Sequence, residues 1–596
     1  MNAGVSIRPR PVLSRPERAF VLLSVAFTSN IGGTLEMIAQ LASNQSFRLR
    51  EDSLWRLFYW TLLALVFAGA IWQRFKLPLD PIADPDTWGY LSPALRKLTG
   101  AEFGHTNGRN FVYPGFVFLV LRLFADFRAI TIAQHFLGLL AGAVFLLTWK
   151  RARIFVPNPR IGRVAHDLLG LVGAAIFLLQ WQTIVFEKDI RPEGICAFVV
   201  SITFYLLIQF LACFFLQHRR TATVAYAIAL AFTAIFLASI KPSFGLASLF
   251  VLSPIIALFW RSGWWWQKVW FSLGFVFSAA VLFLPEHFLS RNDEMSRTFL
   301  PTTLFVFHAE LIRDQLANDL AKNVSLPYPR DRLERLYLAL RTEIEKSRTA
   351  RQYAYHSLGF DADFLMYDSN SIAVQARREF RGDVAALCAF YRFYYGRIWE
   401  KRPLQVLAKV ARQMQIFYLP YCRAYDPRIS RKLGGEYQYS VVSLSDPICR
   451  KVWMGYPPAV DFMNRTEELA RRELRFRQPL LLPLIPIAVL LMSISYSTAI
   501  AVALILAVII ALTSGRWRRL HLIAALVVFS FSFNAACCLE VATITSLELR
   551  RYMTVQMYST LLAQLFGLWF ILEFVVQMWA CRSQGAVQPT GAGDKP

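Results

Sequence analysis

The chain has 596 residues, of which 56% are hydrophobic, 15% aromatic and only 17% charged, with 64 bases against 40 acids. This composition excludes an ordinary soluble globular domain. The bases gather neither in one tail nor on one helix face but in short loops, which argues against a nucleic-acid partner and for a polytopic membrane protein.

Residues 1 to 53 are a basic, proline-rich lead-in whose apolar run Phe20 to Phe27 is too short to span. With no small-residue cleavage site around Arg48 to Trp55, the segment reads as a cytoplasmic amphipathic lead-in and not as a signal peptide. A crossing helix needs roughly 17 to 25 apolar residues. Runs of that kind occur at Leu57 to Gln73, Ala129 to Trp149, Val164 to Phe186, Ile195 to His218, Thr221 to Ile240, Pro242 to Trp260 and Val269 to Pro285. Gln478 to Gly515 is long enough for two crossings with a turn at Ser493 to Ser497, and Leu520 to Leu539 and Tyr552 to Met578 follow, giving about eleven.

Trp149 to Arg153, Gln217 to Arg220, Arg261 to Lys268 and Arg516 to Arg519 are basic short loops and read as cytoplasmic. The gaps at 76 to 110, 187 to 194 and 241 then fall outside, and they hold the acids. Glu286 to Phe476 is polar, with amphipathic pieces at Asp331 to Thr349 and Leu404 to Tyr418, and reads as a large extracytoplasmic segment. To keep Arg516 to Arg519 inside, one more crossing is expected at Leu404 to Tyr421, a twelfth, against the penalty of Lys409 and Arg412. The expected architecture is an all-α polytopic bundle divided at 1–53, 54–288, 289–478, 479–581 and a solvated tail, 582–596.

The first outer gap contains DPIADPDTWGYLSPAL, residues 80 to 95. Pro85 suits a first helical turn, so Asp84 reads as an N-cap and Asp86 as an early helical residue. Both acids satisfy orphan amides in that reading. Asp86 and Tyr90 also share a side, while Trp88, Leu91, Leu95 and Leu98 form a stripe suited to lie on a membrane, with Pro93 breaking the helix in two. An acid held at the water edge is placed to take a proton from an acceptor hydroxyl.

In the second gap, Glu187 to Glu193, five ionisable groups form either a solvated, salt-bridged turn or part of a site. Lys241-Pro242 offers either a snorkelling lysine or a point charge for a lipid phosphate. Arg551-Tyr552 reads as a cytoplasmic anchor or, with the extra crossing, as an outer group. Arg109 and Tyr113-Pro114 open a juxtamembrane helix. His308 and His356 lack the partners of a metal site, no phosphate-cradling glycine loop occurs, and the eight cysteines show no metal-ligand spacing. One disulfide among Cys388, Cys422 and Cys449 stays open.

In their order, Asp86-Thr87-Trp88-Gly89-Tyr90, Tyr113-Pro114, Arg191-Pro192-Glu193, Lys241-Pro242 and Arg551-Tyr552 resemble the GT-C class of membrane glycosyltransferases, which includes protein O-mannosyltransferases and aminoarabinose transferases. The likeness covers about residues 54 to 290 and returns near 550. It implies a GT-C-like helix bundle that moves a sugar, with inversion, from a polyprenyl-phosphate donor to a hydroxyl of a lipid, glycan or protein acceptor. No cofactor or metal is implied, since no long soluble domain follows the last apolar run, unlike the metal-dependent oligosaccharyltransferase branch. The resemblance makes Asp86 the base, Lys241, Arg191 and Arg551 the donor-phosphate group, and Tyr90, Arg109, Tyr113, Asp189, Glu193 and Tyr552 substrate-binding residues. Many relatives carry Asp-Glu in this loop, whereas Thr87 follows Asp86 here and the second acid is Asp84, so the base lies between these two. The implied location is a bacterial inner membrane with the site facing outward. A transporter or flippase of a lipid-linked saccharide is the alternative, and it predicts inverted repeats and ionisable residues near the midplane.

Overall fold

The fold is taken from a computed structural model, which describes residues 50–104, 109–350, 355–427, 430–445, 447–477, 484–513, 515 and 517–585. Most of the lead-in and of the solvated tail lie outside the described residues. Inside a bilayer every backbone amide and carbonyl must be satisfied within the chain, so the uncharged runs become helices. Among the described residues nine helices are long and apolar enough to cross: Trp55–Phe75, Arg128–Phe155, Glu193–Gln217, Arg220–Ile240, Pro242–Trp260, Trp265–Ser290, Leu484–Leu512, Arg518–Ile544 and Met557–Ala580.

Three expectations about spans are corrected. Gln478 to Gly515 does not turn back: Leu484–Leu512 is one helix of 29 residues. The serines that suggested a turn are instead satisfied in place, Ser495 donating to Leu491 O at 2.7 Å and Ser493 to Cys422 O at 2.9 Å. Val164 to Phe186 is not one continuous helix, because Gln180 adopts an extended conformation between helices Arg163–Leu179 and Trp181–Phe186, yet the pair still runs the length of the bundle, from Lys150 beside Asp167 to Arg74 beside Leu178. The 17-residue piece packs against the first and last spans, where Gly173 leaves room for Leu565.

Leu404 to Tyr421 is no crossing either. Helix Pro403–Tyr418 has 16 residues and is not among the spanning helices. Its Lys409 ammonium donates to Ala542 O at 2.8 Å and Thr545 O at 2.7 Å, carbonyls left orphaned where the Arg518–Ile544 span ends. The first and third corrections solve one problem together. With a single helix at Leu484–Leu512, and with Arg163–Leu179 also running between the two ends, Arg518 and Arg519 fall at the same end of the bundle as Lys150, Arg151, Arg219 and Arg220, and no extra crossing is required.

The Lys409 cap has a pH consequence. Burial pulls its pKa down to about 7, with Glu548 pulling the other way. An unfolded lysine titrates near 10.4. Between these values the unfolded chain binds more protons, so the Lys409 contribution to stability rises with pH from about 7 to about 10. We expect the wild type minus Lys409→Met difference in melting temperature to grow across that window; a pH-independent difference would contradict the lowering of the Lys409 pKa by burial.

The polar segment builds its own core around Phe305, Leu316, Leu340, Phe390 and Tyr394. Its later part joins the membrane bundle, where Phe127, Trp453 and Phe462 stack. Strands Ser430–Lys432 and Arg475–Arg477 pair antiparallel. Arg465 ties this region to the gap after the first span, donating to Asp80 Oδ1 at 2.6 Å and Asp126 Oδ1 at 3.3 Å. Cys388 and Cys422 are free thiols, and the Cys449 side chain lies outside the described residues.

Candidate functional site

Helix Thr87–Leu98 follows the acidic stretch. It runs through Pro93 without a break, and its Leu91 and Leu95 are buried in the protein core, which corrects both the expected split and the expected membrane-lying stripe. Asp84 behaves as the sequence suggests: its Oδ1 accepts from the Thr87 amide and hydroxyl, each at 3.0 Å, while the Thr87 hydroxyl accepts from the Asp84 amide at 2.9 Å. Its carboxylate also pairs with Arg191. Asp86 makes no cap bond.

The Asp86 carboxylate is gripped from two distant parts of the chain. Arg109 donates to Oδ1 at 2.8 Å and Arg551 donates to Oδ2. The acid side chain remains 28% exposed, so a substrate group can reach it. Burial alone would raise the Asp86 pKa, but the guanidinium charges of Arg551 and Arg109 outweigh it and bring it to about 2. A carboxylate that acidic is a poor base while both arginines hold it.

The remaining expected residues surround this pair. The Arg109 guanidinium lies over the Tyr90 ring at 5.0 Å, and Tyr90 meets Tyr113 edge-on at 5.4 Å. Tyr113 donates its hydroxyl to Gln134 Oε1 at 2.9 Å, and the Gln134 amide donates to Glu187 O and Asp189 O, each at 2.9 Å. Gly194 beside it has no room for a Cβ, which would sit 2.6 Å from the Gln134 amide. Asp189 bridges Ile82 in a short parallel pairing that stitches the second gap to the first. Lys241 donates to Glu193 Oε1 at 2.6 Å, and Lys241 and Arg551 both face the Tyr552 ring, at 4.9 and 5.1 Å. Burial, with Arg551 adding to it, brings the Arg191 pKa down to about 10.

Several participants were not foreseen. Glu187 and Lys188 are buried, not solvated as a salt-bridged turn requires. Glu187 takes Arg74 on both oxygens at 2.7 Å, and His135 Nδ1 lies 2.8 Å from its Oε2. Arg74 Nη1 also donates to Leu178 O at 2.8 Å. The Lys188 ammonium donates to Pro78 O and Asp80 O, and burial lowers its pKa to about 8. Arg551 is held through its loop: Glu548 accepts from the Ser357 amide at 2.7 Å, Gln413 Oε1 accepts from the Leu547 amide at 2.6 Å, and Arg550 donates to Asp426 and Gln182. Asp363 and Tyr367, on helix Ala362–Tyr367, lie within electrostatic reach of Asp86. Glu187, Lys188, Glu548 and Arg550 stand in charged stretches of the sequence, but their pairings and the other participants have no local signal, because the partners lie in other segments.

Among the described residues no group of three or more His, Cys, Asp and Glu side chains is arranged to hold a metal ion. His308 Nδ1 donates to Leu304 O at 2.8 Å within its own turn. No protein family, curated protein or solved structure matches this chain.

Proposed function

We propose that the protein is a GT-C-type glycosyltransferase that moves a sugar from a polyprenyl-phosphate donor to a hydroxyl of a lipid, glycan or protein acceptor on the outer face of the membrane. One observation carries the reading: a solvent-accessible carboxylate, Asp86, is shared between Arg109 and Arg551 beside Arg191 and Lys241, at the end of the bundle opposite the basic loops. Positive loops orient toward the cytoplasm, which puts this end outside.

In this reading the donor phosphate competes for Arg551 and Lys241. As Arg551 turns to the phosphate, Asp86 loses a cation and becomes more basic. It then accepts the acceptor hydroxyl proton as the acceptor oxygen bonds to the sugar C1. The bond from C1 to the phosphate oxygen breaks on the opposite face, with inversion, and the cations offset the charge left on the leaving polyprenyl phosphate. Glu193 keeps Lys241 aimed, and Asp189 supports the loop between them.

The intramembrane acids favour this reading over a transporter. Glu540 caps a helix start by accepting from the Leu246 amide at 2.7 Å, and Glu573 accepts from the Arg160 and Ile161 amides of the loop before helix Arg163–Leu179, at 2.9 and 3.2 Å, so both are engaged with backbone. Membranes containing the wild type, given a panel of radiolabelled polyprenyl-phosphate sugars and an acceptor extract, are expected to transfer label from one donor. Transfer from none, with intact donor crossing liposomes instead, would replace the reading with a flippase.

The arginine grip also predicts a split in pH behaviour. The acid limb of kcat/KM, which reports the donor-free enzyme, is expected well below pH 4, because Asp86 is held at about 2. The acid limb of kcat, which reports the loaded enzyme, is expected at higher pH. Coincident limbs would mean that the donor does not draw Arg551 away.

A further inference from the structure

We propose that the end of the bundle opposite Asp86 holds an anionic lipid headgroup, a phosphodiester with a hydroxylated head, in a cavity between the first span, the second span and helix Arg163–Leu179. The cavity measures about 320 Å³. That is far above the roughly 10 to 15 Å³ that a single water needs, and leaves room for a phosphate and a short polyol.

Its chemistry is divided between mouth and floor. Arg56, Lys150 and Arg163 are exposed at the mouth, a group of cations suited to a phosphate, with arginine able to bind it through two parallel donors. Tyr59 and Asp167 form the buried floor. The Tyr59 hydroxyl has no hydrogen-bond partner among the described residues, although the residue is only 4% exposed. A buried hydroxyl without a partner is costly, and a ligand hydroxyl would satisfy it. Asp167 lies 3.6 Å from Arg163, and as an ionised carboxylate it accepts from a hydroxyl but repels a second phosphate oxygen. The floor therefore selects an alcohol and the mouth an anion.

Position decides the source of that anion. Leu57, Phe58 and Trp60 on the same helix turn outward with 67%, 52% and 47% of their surface exposed. Together they form an apolar and aromatic face suited to the bilayer interface. The Lys150 ammonium sits 4.5 Å from the Tyr59 ring and 5.3 Å from the Trp60 ring, on the boundary between that face and the cavity. Anionic lipids of the cytoplasmic leaflet attract basic groups there. None of these residues takes part in the Asp86 cluster, so the site stands or falls separately from the transferase reading.

The test uses the full-length protein in nanodiscs of phosphatidylcholine containing phosphatidylglycerol or phosphatidic acid, with retained lipids counted by native mass spectrometry. The wild type is expected to keep one phosphatidylglycerol in preference to phosphatidylcholine. The exposed double variant Arg56→Ala/Arg163→Ala is expected to lose that preference at least tenfold. Tyr59→Phe is expected to weaken phosphatidylglycerol several-fold and to leave phosphatidic acid, which has no hydroxylated head, unchanged. Equal retention by the wild type and the double variant would overturn the site. Full displacement of the lipid by soluble glycerol 3-phosphate would overturn the lipid source.

Discussion

Asp86→Asn is expected to reduce sugar transfer by about 10²- to 10⁴-fold, the usual range for loss of a general base, while the protein still folds and reaches the membrane. Asparagine keeps the shape of the side chain but removes both the proton acceptor and the charge shared by Arg109 and Arg551. The same change at Asp84 separates the two candidate bases. Asp84 caps the helix through Thr87 and pairs with Arg191, so Asp84→Asn, which keeps a capping oxygen, is expected to weaken the local structure and the Arg191 position with a smaller loss of transfer. A transfer rate unchanged in Asp86→Asn would remove Asp86 from the chemistry.

Arg74→Ala is expected to have the largest effect on stability, about 3 to 5 kcal/mol, because it strands a buried carboxylate. Arg74 is fully buried and satisfies both oxygens of Glu187, while His135 supplies only one contact. Burial would raise the Glu187 pKa, but Arg74 and His135 outweigh it and hold it low. The pair is therefore at full strength above about pH 4.3, the unfolded glutamate value, and weakens as pH falls through the lower folded value. Thermal unfolding of the purified protein at pH 7 measures the loss. Arg74→Ala/Glu187→Ala is expected to recover part of it, since no charge is then stranded; a double variant no more stable than the single would point to lost packing instead.

The membrane bundle was legible because its signal is local: long uncharged runs ended by basic loops. The errors arose where a local pattern has a non-local answer. Serines at 493 to 497 read as a turn, yet their hydroxyls bond to Leu491 and to the neighbouring 418 to 422 segment, and the helix continues. The false turn reversed the sidedness of Arg518 and Arg519, and the crossing at 404 to 421 was required only to restore it. Lys409 and Arg412, which spoke against that crossing, bind the carbonyls of Ala542, Thr545 and Ser357.

The site shows the same division. Asp86, Tyr90, Arg109, Tyr113, Asp189, Arg191, Glu193, Lys241, Arg551 and Tyr552 do meet around the outer gaps, with Asp84 beneath them. The sequence could nominate them because most stand in or beside charged gaps between apolar runs and because their order resembles that of the GT-C class. It could not pair them, and the Arg551 contact with Asp86 joins residues 465 positions apart. Nor could it indicate Arg74, His135 and Gln134, which sit in or beside apolar runs and reveal their roles only when the helices pack.

The most direct test of sugar transfer uses purified protein in proteoliposomes and a donor labelled twice, with carbon-14 in the sugar and phosphorus-32 in the polyprenyl phosphate. Transfer predicts that the labels part: carbon-14 passes to the acceptor, phosphorus-32 stays as polyprenyl phosphate, and neither happens with Asp86→Asn. Movement of both labels together across the bilayer, in the wild type and the variant alike, would contradict it.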